Sequence, residues 1–134
     1  MLTKNDRVKL SGEVFTPTDL VNKLLDGLPK NVWFDQTMRW LEPSCGDGNF
    51  LVVILNRLSI TLAGWQADPI LLHQHIIENM LFGIDLMQDN VDACINRLNA
   101  NHLKHHIVCA DALTYHFRFD EWENQQEDLF IWPS

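Results

Sequence analysis

Apolar residues recur along this chain in two rhythms. Val21, Leu24, Leu25 and Leu28 follow helical spacing, which puts one apolar stripe against a core. Thr16-Pro17 precedes them, so the pattern predicts a helix with Thr16 as N-cap, Pro17 at the first helical position and Pro29 as its stop. Short apolar runs over 38–41, 81–86 and 106–110 predict strands, and 129–132 predicts a fourth. Helices are expected over 50–62, 70–80 and 90–98, the last from Val91, Ile95 and Leu98, with a turn region over 64–69. Strands alternating with helices imply an α/β fold, a mostly parallel sheet flanked by helices with ligands at the carboxyl ends of its strands.

One junction in this pattern carries chemistry. Leu41-Glu42-Pro43-Ser44-Cys45-Gly46-Asp47-Gly48-Asn49-Phe50 ends a strand, turns on two glycines and opens a helix. Glycines let backbone approach a ligand closely, and the N–H groups of a helix start point toward it. A lone Gly-x-Gly is weak, and a glycine turn in an ordinary α/β protein is the plain alternative. Matching carboxylates strengthen the ligand interpretation, because Asp85 and Asp111 each close a predicted strand on the same sheet edge. In Gly83-Ile84-Asp85-Leu86 the carboxylate can accept from both hydroxyls of a ribose, and Leu86 offers an apolar face to a base. Asp111 can accept from an exocyclic amine. Helix capping by Asp85 and a loop or cap role for Asp111 stay open beside these assignments.

Composition narrows the class. The 134 residues fit one domain, 1–134, and 46% hydrophobic with 21% charged residues is a globular balance. With no apolar run of membrane length and no export signal, a cytoplasmic protein is expected. Cys45, Cys94 and Cys109 lack Cys-x-x-Cys spacing and are expected to be reduced and structural. His73, His75, His102, His105 and His106 lack ligand spacing with Cys or acidic partners, so they are expected at the surface and in loops, with no metal site. The net charge of −8 and ten basic residues argue against strong unaided DNA binding. A local basic patch around Lys4, Arg7 and Lys9 remains open.

Four motifs in order complete the sequence evidence: Gly12-Glu13-Val14-Phe15-Thr16-Pro17, Glu42 to Phe50, Gly83-Ile84-Asp85, and Ala110-Asp111-Ala112-Leu113. Together they resemble the S-adenosylmethionine-binding half of the adenine-specific (N6) DNA methyltransferases, over residues 10 to 115. The resemblance implies a Rossmann-like methyltransferase fold, a restriction-modification setting and S-adenosylmethionine as cofactor. It implies that Thr16 approaches the methionine end, that Glu42, Pro43, Gly46, Asp47, Gly48 and Phe50 cradle the cofactor, that Asp85 with Leu86 holds the ribose and its surroundings, and that Asp111 with Ala112 holds the adenine. Residues 65–79 look like an added turn and helix between two strands.

The departure concerns catalysis. The family closes its fourth strand with Asn or Asp, two prolines and an aromatic, which bind the flipped adenine. Here Asp128-Leu129-Phe130-Ile131-Trp132-Pro133-Ser134 stands there, and neither form of the motif occurs in the 134 residues. No target-recognition region is evident either, so a truncated version of the fold is expected. A split enzyme completed by a partner chain, a non-catalytic cofactor binder or anti-restriction decoy, and an inactive relative all stay open. DNA contact is then expected to be weak or through a partner, and an uncovered sheet edge or aromatic surface near 117–122 would suit a partner chain or a homo-oligomer. Gly-x-x-x-x-Gly-Lys-Ser/Thr is absent and Gly-x-Gly-x-x-Gly incomplete, which disfavours triphosphate and dinucleotide binding.

Overall fold

Four parallel strands form the sheet of the computed structural model, which describes residues 15–117 and 129–131. Strands β1 (Arg39–Glu42), β2 (Leu81–Asp85), β3 (His106–Cys109) and β4 (Leu129–Ile131) lie in the order β3-β2-β1-β4. Trp40 pairs with Leu81 on one side of β1 and with Phe130 on the other, while Gly83 pairs with Ile107. The chain steps outward from β1 to β3 and then returns to the far side of β1. Strand order therefore reverses at β1, and the crevice outside such a reversal is where ligands bind in open α/β sheets.

Helices α1 (Thr18–Asp26), α2 (Asn49–Thr61), α3 (Pro69–Asn79) and α4 (Gln88–Arg97) cover this sheet. From α2, Phe50, Leu51, Ile54, Leu55 and Leu58 are buried, and α1 adds Val21 and Leu25. Helix α2 is thus apolar over much of its circumference, as a helix packed between sheet and other helices must be. Trp40 of β1 stacks on Trp33 at 4.7 Å between ring centroids, and the Arg57 guanidinium lies 5.2 Å from the Trp33 ring on its other contact. Both tryptophans are buried, whereas Trp65 is half exposed and packs on His75. Trp122 and Trp132 lie outside the described residues.

Several local expectations change. Thr16 is not the N-cap of α1: the Val21 N–H donates to the Pro17 carbonyl at 3.0 Å, so Pro17 caps and the helix starts one residue later than the Thr-Pro pattern suggested. Residues 30–34 form a 3-10 turn, Lys30–Phe34, and a second one, Leu62–Gly64, follows α2. Helix α3 begins at Pro69 with Asp68 as a true N-cap, its carboxylate accepting from the N–H groups of Ile70 and Leu71.

The histidines are a larger correction. His73, His75 and His106 are half buried and tie segments together through their Nε2 atoms, to the carbonyls of Leu98 (2.9 Å), Gln36 (2.8 Å) and Glu78 (2.8 Å). A ring N–H donating to a carbonyl satisfies an otherwise unmet acceptor. His105 is half buried too, and burial together with neighbouring His106 holds its ring below the ordinary imidazole range. His102 is exposed as expected, and so is His116.

Candidate cofactor site

The site begins where β1 ends. Glu42 is its last residue, and Pro43 and Ser44 turn the chain into the glycine loop. The Cys45 N–H donates to the Ile84 carbonyl at 2.8 Å, which ties the loop to β2, and the Gly48 N–H closes it on the Cys45 carbonyl at 2.9 Å. Gly46 has φ +54° and Gly48 φ +99°, conformations in which a side chain is strained. A Cβ on Gly46 would also sit 3.3 Å from the Phe15 ring, so the segment before α1 rests directly on the loop.

Asp85 reaches the same place from β2. One carboxylate oxygen accepts from the Gly46 N–H at 3.2 Å, and the other accepts from the Met87 N–H and the Asn90 amide, both at 3.0 Å. The Met87 bond is a local turn leading into α4 and not a helix cap, since Met87 holds the N-cap position and no side-chain hydrogen bond caps that helix; Asp85 also touches the glycine loop. A carboxylate has about four acceptor positions, and three are used. One remains, so holding both hydroxyls of a ribose means surrendering one of the present bonds.

Glu42 is 2% exposed. Its Oε1 accepts from the Ser44 N–H at 2.9 Å, while Oε2 meets no hydrogen-bond partner among the described residues. Burial is the main cause that pushes its carboxyl up to about 7, with the Asp85 charge adding to it and the Ser44 hydrogen bond opposing it. A buried, unsatisfied carboxyl oxygen beside a ligand loop is suited to a donor or a positive charge that arrives with the ligand.

The remaining predicted residues divide in two. Thr16, Gly46, Asp47 and Phe50 line one groove with Phe15, Ser44, Cys45 and Asn49. Glu42, Pro43 and Gly48 belong to the same loop and its root. Asp111 and Ala112 lie beyond β3, outside this groove. They are linked to it through the Ala110 N–H, which donates to the Asp85 carbonyl at 3.0 Å. The Asp111 carboxylate accepts from its own Leu113 N–H at 2.9 Å, the local turn that a loop aspartate makes. Leu86 is 68% exposed at the end of β2 and open to an apolar contact.

Sequence reasoning missed three side chains here. Asn90 orients Asp85; Asn49 donates from its amide to the Thr16 carbonyl at 2.6 Å; Arg97 at the end of α4 holds Asp47 and Asn49. Their partners lie 33 to 50 positions away, except for Asn90 at five, and only that one had a local signal. Behind the loop, Cys45 and Cys94 are both buried, and the thiol contact between them together with burial pushes the Cys45 thiol up, as expected of an inert structural cysteine.

With this geometry in hand, the sequence likeness becomes informative. Over 91 residues the chain is 36% identical to an uncharacterised adenine-specific methylase of Mycoplasma pneumoniae (strain ATCC 29342 / M129 / Subtype 1), a match covering 62% of the chain. Over that stretch the chain is similar to an adenine-specific methylase. It spans 22% of that protein's length. The fold is also that of a modification subunit assigned to a type I restriction enzyme from Vibrio vulnificus YJ016, with a TM-score of 0.53 and 20% identity over 84% of the chain and 22% of the subunit. No family model matches the chain. None of its helices among the described residues is long and apolar enough to cross a membrane.

Proposed function

We propose that this chain is the S-adenosylmethionine-binding portion of an adenine-specific DNA methyltransferase of restriction-modification type, and that methyl transfer needs protein beyond these 134 residues. The observation that carries the proposal is the meeting of Thr16, the glycine loop and Asp85 where strand order reverses: Asn49 joins Thr16 to the loop, and Asp85 joins the loop to β2. Three segments that are separate in sequence thereby meet, with a buried carboxyl at their root. Kinship with a methylase supports the choice of cofactor.

In this proposal the loop backbone and the start of α2 approach the methionine end of the cofactor, and Glu42 receives its positively charged part. Asp85 takes a ribose hydroxyl on its remaining acceptor position, Leu86 covers one side of the base, and Asp111 accepts from the adenine amine. The cofactor supplies an electrophilic methyl group when bound. The chain's own contribution is binding and orientation, because the sequence contains no Asn/Asp-Pro-Pro-aromatic run to hold a target adenine. A partner chain, a second copy or a longer protein provides that run and the DNA contact, in the cytoplasm.

The proposal is tested by calorimetric titration of the purified chain with S-adenosylmethionine and, separately, S-adenosylhomocysteine. Saturable one-to-one binding is expected. No heat with either ligand sinks the cofactor assignment and favours the second interpretation, a non-catalytic interaction or decoy protein, which the missing catalytic run keeps in view.

A further inference from the structure

We propose that Arg97 and Asn49 form a latch that fixes the segment 15–17 as one wall of the cofactor groove, with Arg97 as a positioning residue that acts through Asn49. The proposal rests on the cofactor assignment above for its purpose, though not for its geometry.

Asn49 is the first residue of α2 and sits between two partners of opposite demand. Arg97 Nη1 donates to Asn49 Oδ1 at 2.8 Å, and Asn49 Nδ2 donates to the Thr16 carbonyl at 2.6 Å. A guanidinium can only donate and a carbonyl can only accept, so the two partners allow one orientation of the amide. Arg97 thereby decides that the NH2 end of Asn49 faces Thr16. The same Nη1 donates to the Asp47 carbonyl at 3.1 Å and lies 3.2 Å from the Asp47 carboxylate, which spans the loop between its two glycines. One arginine at the end of α4 thus holds the tip of the glycine loop, the start of α2 and, through Asn49, the segment that places Phe15 on Gly46.

The sharpest test is Asn49→Asp. The variant keeps an acceptor for Arg97 and adds a charge that a helix N-terminus favours, so the fold is retained, but it presents an oxygen to the Thr16 carbonyl in place of a donor. Hydrogen exchange of the full chain reads the result directly. The Val21 amide, bound to the Pro17 carbonyl, is expected to exchange at least about tenfold faster in N49D and in R97A, while the Trp40 amide, bound to Met80 in the sheet, keeps its rate. Because both changes break one chain of contacts, the double variant N49D/R97A is expected to go no further than either single one. S-adenosylhomocysteine dissociation constants are expected to rise about tenfold in each variant.

Unchanged Val21 exchange in N49D, or additive effects in the double variant, overturns the latch. Faster exchange with an unchanged dissociation constant overturns its role in positioning. If the parent chain binds no S-adenosylhomocysteine, the cofactor assignment fails by itself, and the exchange data alone decide for or against the latch.

Discussion

Gly48 lies directly against Cys94: a Cβ on Gly48 would sit 2.8 Å from the Cys94 Sγ and 3.4 Å from its Cα and Cβ, and Gly48 has φ +99°. The loop that faces the candidate ligand is therefore seated on the middle of α4. Gly48→Ala is expected to destabilise the chain by about 2–4 kcal/mol, combining left-handed backbone strain with a steric overlap in a packed region. Urea unfolding measures it. G48A/C94A should recover part of the loss, because it removes the sulfur and leaves the backbone strain. A loss below about 0.5 kcal/mol in G48A, the size of an ordinary surface change, contradicts the seating.

Glu42 gives the chain a pH signature. Its carboxyl is raised from an ordinary 4.5 to about 7 by burial, so between those values the folded state binds more protons than the unfolded one. Stability from this group is then full below pH 4.5, falls as pH rises toward 7, and levels off above it. The total loss is on the order of 3 kcal/mol. Glu42→Gln keeps an acceptor for the Ser44 N–H and cannot ionise, so its stability should be flatter over this window and exceed the parent's at pH 8. Parallel pH curves for parent and variant, from urea midpoints, would remove the buried charge from the account.

Much of this arrangement was legible in the chain. The alternation of apolar runs and helical stripes located every strand and α-helix of the described residues to within two residues or so, though neither 3-10 turn, because buried parallel strands and amphipathic helices leave periodic traces. Asp68-Pro69 was a readable helix start that the apolar pattern placed one residue late. The sheet order and the latch were not legible. Asp47 and Arg97 are 50 positions apart, and nothing local distinguishes a cross-linking arginine from a solvated one. His75 misled for the same reason: its partner, Gln36, lies 39 positions away. Asp85 was read from its strand end as a ligand acceptor or a helix cap, whereas its carboxylate bridges the glycine loop, Met87 and Asn90. That bridge is visible only in three dimensions.

Asp85 therefore offers two measurable losses. Asp85→Ala leaves the Gly46 and Met87 N–H groups and the Asn90 amide without their acceptor, and is expected to cost about 1–3 kcal/mol in unfolding free energy. Cofactor binding should weaken by a similar roughly 1–3 kcal/mol in calorimetry, through the lost ribose acceptor and the loosened loop. A stability loss with an unchanged dissociation constant would leave Asp85 as an anchor of the glycine loop and remove it from the ligand site.

Charge sets the last expectation, for DNA. Of the ten basic residues, Arg39 is buried, Arg57 is 2.8 Å from the Asp26 carboxylate and Arg97 is 3.2 Å from that of Asp47. Neutralising phosphates supplies most non-specific affinity, and its loss with salt scales with the number of phosphates neutralised. A chain of net charge −8 with three of its arginines engaged internally has few cations to offer a duplex. At about 1 µM protein and physiological salt, no band shift of duplex DNA is expected. A tight shift that weakens steeply with added salt would mean that basic residues outside the described part, Lys4, Arg7 and Lys9 among them, form a DNA-binding surface, and would return the DNA contact to this chain.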